Sequence, residues 1–420
     1  MKITKEIRDI ILKRLLITLG IVLFIRIGTF LPVPDINHTD LAFYLQSHSV
    51  ARSLVSTFSA NDIFVIGIFT LNIFPYINAS LVIQLILGFS PKLAKLQQEG
   101  GFEGKRKIDR LTRLITLIFA LIQSVSISSL LRPILFAWNY RLAFEIIVWL
   151  TAGAMIIVWL SELITDYGLG NGASLIIYIN IISNFPNLTK SVFIENANNF
   201  SISYRIGIAL LLFASLYGIV FLQEGLRMIP LISSKQLNQA SIRGKEWLPI
   251  ENYLPLRFNQ AGVMPIILTA TILVVPNYIS NLGLFPKFDF PRNFESLKFV
   301  YWIGYFGFIL LFSSFYSTIV LNPKDLSDNL QKMAVCIPGV RPGTQTTFYL
   351  KQTMKRITFI GSTILATIVT IPNYVESTAN LTGLSGLSTT SLLILAGVIL
   401  DLGREIKNIY YSNVYNNMYQ

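Results

Sequence analysis

Few side chains in this 420-residue chain suit bond-making chemistry. Cys336 is the single cysteine, so no disulfide can close within the chain. The two histidines, His38 and His48, have no thiol or carboxylate partners at metal-ligand spacing. The phosphate loop G-x-x-x-x-G-K-[ST], the zinc motif H-E-x-x-H and the nucleophile motif G-x-S-x-G are all absent. Serine and threonine are plentiful in the apolar stretches, but a nucleophile there needs a base, and neither His nor Lys is available at that depth. Glu145, Glu162 and Asp401 stand near the ends of apolar runs. That placement counts against ion-coupled transport, which keeps ionisable groups at membrane depth. The sequence therefore predicts no enzyme, no metal and no cofactor.

The elements that would position any site are membrane spans. The chain is 53% hydrophobic and 13% charged, with a net charge of +12. So little polar surface excludes a soluble globular domain and a disordered chain. The basic residues fall between apolar runs, as topology demands, and are not interleaved with aromatics as nucleic-acid binding would require. A span needs about 20 mostly apolar residues. Ten runs qualify, at 15–31, 63–88, 111–131, 142–163, 172–189, 204–223, 260–279, 299–321, 353–372 and 387–403. A charged amphipathic stretch, Lys2 to Arg14, precedes the first run with no cleavage site, so this run is expected to be retained as its own insertion signal.

Ten spans put both termini on one side. With that side inside, the inner segments hold 25 of the 34 Lys and Arg residues and the outer loops eight, the excess expected for the correct orientation. Arg26 lies within the first span, where snorkelling to the nearby outer interface explains it. The longest inner loops, 224–259 and 322–356, are both basic. Attraction to anionic lipid, about 1 kcal/mol per basic residue, would explain them. A docking platform for a partner would explain them equally.

Proline supplies the sharpest irregularity. Pro75 falls in the middle of the second run and Pro265 in the seventh, each expected to bend its helix. If the spans form two halves of five, these are the second span of each half, and matching interruptions point to a pathway between repeats. Ile73 and Ile77 flank Pro75 on one helix face. Facing lipid is the ordinary explanation for such a pair. Asn78, Gln123 and Asn259, in or beside spans two, three and seven, could hydrogen-bond across helices at about 0.6 kcal/mol each.

Long ordered motifs then carry a family resemblance. They are F-R-I-G-T-F-L-P-V-P, F-P-Y-I-N-A-S-L-V-I-Q-L, E-G-G-F-E-G-K-R-K-I-D-R-L-T-R, G-L-G-N-G-A-S-L-I-I, Y-L-P-L-R-F-N-Q-A-G-V-M-P, N-P-K-D-L-S-D-N-L and I-P-G-V-R-P-G-T-Q-T. Nearly end to end, the chain resembles the SecY family of protein-translocation channels. The resemblance implies an all-α membrane protein, ten helices in two inverted five-helix halves (1–189 and 190–420) forming a clamshell with a lateral opening. It implies a pore ring of Ile73, Ile77, Ala173, Ile177, Ile267 and Ile394, since a narrow aliphatic collar dewets yet yields to a passing chain. Ala173 departs from the bulkier aliphatic usual there.

The resemblance further implies a plug around 49–59 and a lateral-gate polar cluster of Asn78, Gln123 and Asn259. It implies docking of the SecA ATPase and the ribosome through Arg227, Lys235 and Arg341, with Met228 standing where a second Arg is common. The other partners implied are a SecE-like subunit, possible pairing with a SecG-like subunit, signal sequences, unfolded polypeptides and the lipid bilayer. Richness in Ile, Asn, Phe and Tyr with short loops resembles plastid-encoded members, which implies a thylakoid membrane over a bacterial plasma membrane. A multispan solute transporter is the competing reading.

Overall fold

The structure is a computed structural model that describes residues 2–34, 67–90, 101–132, 139–190, 202–233, 252–260, 262, 264–266, 268–269, 295–378 and 389–418. The chain divides into two compact units, Met1–Ala197 with Val398–Gln420, and Asn198–Gly397.

The first unit contains α1 (Lys2–Thr29), α2 (Phe74–Phe89), α3 (Gly101–Leu131), α4 (Tyr140–Tyr167) and α5 (Gly172–Lys190). α4 shows why these segments are helices. Its buried residues, Ile146, Leu150, Gly153, Ala154, Ile157, Val158, Leu160, Ser161 and Ile164, recur every three or four positions. Val148 and Trp159 on the opposite face, and Trp149 and Ile156 on the flank, are exposed, as suits lipid contact. In lipid that exposure carries no hydrophobic penalty, so small residues and polar links hold helices together. Ser124 of α3 and Thr151 of α4 share a hydrogen bond of 3.0 Å. Along the same pair, Arg113 Nε donates to Glu162 Oε1 at 2.8 Å.

Pro75 does not bend a long second helix. α2 begins at Phe74 with Pro75 in its first turn, and residues 68–73 before it are turns. The first turn is where proline fits best, because its missing N–H has no intrahelical acceptor to lose. Pro265 is placed similarly. Gly262 at φ +64 blocks a helix upstream, and helical residues start by Met264. Thr269 Oγ1 then donates to the Pro265 carbonyl at 2.8 Å. A proline well inside a long helix is instead found at Pro372, in α9.

The second unit contains α6 (Ile202–Glu224), strands β1 (Leu226–Ser233) and β2 (Asn252–Arg257), α7 (Glu295–Val320), α8 (Pro323–Lys332), β3 (Val335–Cys336) and α9 (Thr344–Thr378), and α10 spans Thr389–Met418. The strands form an antiparallel sheet in the order β2-β1-β3, an element the apolar-run reading did not anticipate. α8 starts with Asn322, whose side chain accepts from the Lys324 amide at 3.1 Å, then Pro323. Asp325 in its first turn and Lys332 in its last complement the helix dipole.

The sheet closes over a core of Ile229, Leu231, Leu256, Leu330, Ile337, Leu350, Met354 and Ile357. Full burial of an aliphatic side chain contributes about 1.5–3 kcal/mol, so this core can hold a module without lipid around it. The described parts of the two basic loops read from the sequence thus share one core.

Candidate functional site

The expected pore ring begins where α2 does. Ile73 is the N-cap of α2 and Ile77 lies one turn on, with the Ile77 amide donating to the Ile73 carbonyl at 3.1 Å. Both are buried, at 1% and 6% exposure. Burial removes the lipid-facing explanation that spacing alone allowed. Ala173 and Ile177 lie on α5 and Ile394 on α10, all half-buried. Ile267 falls outside the described residues, as do the expected plug at 49–59 and Lys235.

The Asn171 side chain accepts from the Ala173 amide at 3.1 Å and fixes the start of α5. Gly172 approaches the Ser161 carbonyl so closely that a β-carbon would overlap it. The Gly172 amide donates to Thr165 Oγ1 at 3.0 Å. The motif G-L-G-N-G therefore folds as a tight turn that returns the chain from α4 into α5.

The three amides have different surroundings. Asn78 is half-buried on α2, and Gln123 on α3 has a buried Oε1 without a hydrogen-bond partner among the described residues. Asn259 is buried and donates from Nδ2 to the Gly262 carbonyl at 2.9 Å, capping the turn that leads to Pro265. Next to it, Gln260 Oε1 accepts from Ser317 of α7 at 3.0 Å, and Ser317 pairs with Thr358 of α9 at 2.8 Å. Sequence reasoning selected Asn259 and passed over Gln260, Ser317 and Thr358. Hydroxyls are common in apolar helices, and nothing local distinguishes a bridging one.

Arg227 on β1 and Arg341 in the turn after β3 are both exposed. Met228, also exposed, pairs with Pro255 across the sheet. Beneath them Gly225 and Phe258, which flank β1 and β2, are tied to each other and to α9. The Phe258 amide donates to the Gly225 carbonyl at 3.1 Å, and Gly361 of α9 presses against the Phe258 carbonyl with no room for a side chain. A basic surface is thereby mounted on a rigid support. Its chemistry suits binding of anionic or acidic groups.

Comparison with known proteins gives a consistent answer. The SecY family profile matches residues 67–403. A chain from Trieres chinensis, named protein translocase subunit SecY, is 56% identical over 418 residues, covering 98% of this chain and 98% of that one. In fold, the chain is similar to a SecY protein whose plug domain stabilises the closed state of its translocation channel and maintains a membrane seal. The TM-score is 0.69 at 15% identity, covering 97% of this chain and 94% of that one. It is also similar to Sec61 in the canine ribosome-channel complex from the endoplasmic reticulum, with a TM-score of 0.61 at 16% identity and the same coverage.

Proposed function

The chain belongs to the SecY family, and from that membership we propose that it is the central channel subunit of a Sec translocase. It passes unfolded polypeptides across a membrane and releases transmembrane segments sideways into lipid. The match over nearly the whole length to a chain named as a translocase subunit carries this reading. The solute-transporter alternative is not retained.

The protein is an integral, multi-pass membrane protein. In the proposed arrangement its halves, 1–189 and 190–420, are inverted repeats of five helices. Ile73, Ile77, Ala173, Ile177, Ile267 and Ile394 form a dry collar that blocks ions without making bonds specific to any passing sequence. The burial of Ile73 and Ile77 supports that role. Asn78, Gln123 and Asn259 set how apolar a signal sequence must be to part the lateral gate, and residues 49–59 plug the channel. The chain turns over no bond, so energy comes from a SecA-type ATPase or the ribosome acting on Arg227, Lys235 and Arg341. The exposure of Arg227 on β1 and of Arg341 in the turn after β3, both in the sheet module, supports this reading. A SecE-like subunit, with or without a SecG-like one, completes the complex.

The excess of basic residues in the inner segments puts both termini on the cytosolic or stromal side. A plastid thylakoid membrane is the proposed location, supported by composition and by the likeness to the Trieres chinensis chain. Purification in mild detergent followed by reconstitution tests the whole reading. The expected result is copurification of a SecE-like subunit and ATPase-driven entry of a signal-bearing precursor into vesicles. Uptake of a small solute by the chain alone would overturn it.

A further inference from the structure

Between α1 and α2 the chain runs through residues 67–73 without forming a helix. This stretch is buried: Phe69, Thr70, Leu71, Asn72 and Ile73 are all 7% exposed or less. Irregular backbone at membrane depth requires internal hydrogen-bond partners, and these are present. The Ile68 amide donates to the Leu31 carbonyl at 3.0 Å, and Pro32 bridges to Gly67. The Thr70 amide and hydroxyl both donate to the Gly67 carbonyl, at 3.1 and 2.6 Å. The Asn72 amide donates to the Phe69 carbonyl at 3.0 Å.

Three glycines from three places admit this segment. A β-carbon on Gly153 of α4 would overlap the Ile68 carbonyl, and one on Gly28 of α1 would overlap the Phe69 ring. One on Gly67 would stand 2.5 Å from the Thr29 carbonyl oxygen. The segment is therefore gripped on both sides by backbone and a packed ring, with no slack to shift.

The last turn before α2 is made by Asn72 at φ +50, in the left-handed region. Asparagine tolerates that region and a β-branched residue does not. Its Oδ1 also accepts from the Ile73 amide at 2.9 Å. That amide is one of the first-turn donors left without a helical acceptor.

We propose that Asn72 is a positioning residue for the channel's seal. Its left-handed turn, held in the seat formed by Gly28, Gly67 and Gly153, sets the direction in which α2 starts and hence where Ile73 and Ile77 point. The inference rests on the collar reading above for its functional meaning, but the seat itself is a matter of geometry and can be tested apart.

The assay uses the full chain in its reconstituted complex, with Cys336→Ser and Ile73→Cys as background and a maleimide as the probe. Ile73 is sealed, so labelling is expected to be slow. Adding Asn72→Val should accelerate it about tenfold or more, because the turn can no longer be held without strain. Gly153→Ala, a one-carbon change, should accelerate it as well, and gives a second reading if the valine variant does not assemble. Asn72→Gly keeps the left-handed turn and should label at close to the background rate.

Unchanged labelling in both Asn72→Val and Gly153→Ala would overturn the proposal. So would Asn72→Gly labelling as fast as Asn72→Val, since the turn would then not be what matters. Resting ion conductance is measured on the same variants with Ile73 native. Faster labelling without a rise in leak would uphold the seat and remove the collar reading instead.

Discussion

Thr358 donates its hydroxyl hydrogen to Ser317, whose own hydrogen is committed to Gln260 Oε1. The direction follows because each hydroxyl has one hydrogen, and it makes Ser317 the pivot between α7, α9 and the start of the seventh span. Removing it leaves a buried acceptor on Gln260 unmatched. Ser317→Ala should therefore cost about 1–3 kcal/mol, while Thr358→Val, which removes a donor only, should cost about 0.6 kcal/mol. Thermal unfolding of the purified complex in detergent measures both. Equal losses would show that Ser317 is not the pivot. Because Gln260 Nε2 is buried without a partner among the described residues, Gln260→Met is expected to be close to neutral.

The proposed collar makes an electrical prediction. Replacing Ile73, Ile77 and Ile267 together with glycine or serine should wet the constriction and raise resting ion conductance in planar bilayers. Wild-type leak in the triple variant would remove these residues from the seal.

Gly361 makes a steric one. Its approach to the Phe258 carbonyl means that Gly361→Ala forces α9 away from the sheet, at about 1–3 kcal/mol. Gly304 in α7 has open space where a β-carbon would stand. Gly304→Ala should change stability by no more than about 0.5 kcal/mol, or raise it slightly through helix propensity. Chemical denaturation of the two variants side by side distinguishes tight packing from a generic intolerance of helical glycines.

The sheet module can be tested through its core. Leu350 is fully buried there, so Leu350→Ala should cost about 2–5 kcal/mol. Amide hydrogen exchange along β1 and β2 should accelerate, while α4 in the other unit keeps its protection. Loss of protection in both places would mean that the module does not fold as a unit of its own.

Much of this was legible in the sequence, because membrane burial leaves a strong signal. The apolar runs coincide with α1, α3, α4, α5, α6, α7, α9 and α10, and the ordered motifs pointed to the family. Prolines misled in two directions. Pro75 breaks an apolar run in the middle, yet the helix begins beside it, because the irregular stretch before it is as apolar as a helix would be. Pro230 and Pro255 disguise β1 and β2, since proline within a run argues against a strand. Asn72 had a readable signal, an amide inside G-I-F-T-L-N-I-F-P, but its left-handed backbone is set by tertiary packing. The grip of Gly153 on Ile68 joins residues far apart in the chain, and no local pattern announces it.

The module's core also dictates an order of assembly. Ile229, Leu231 and Leu256 are synthesised before α7, and Leu330, Ile337, Leu350, Met354 and Ile357 only after it. The core must wait, half-made and with apolar faces open, until the chain beyond α7 has been made. A newborn chain thus lacks its finished sheet module until α9 has begun to emerge.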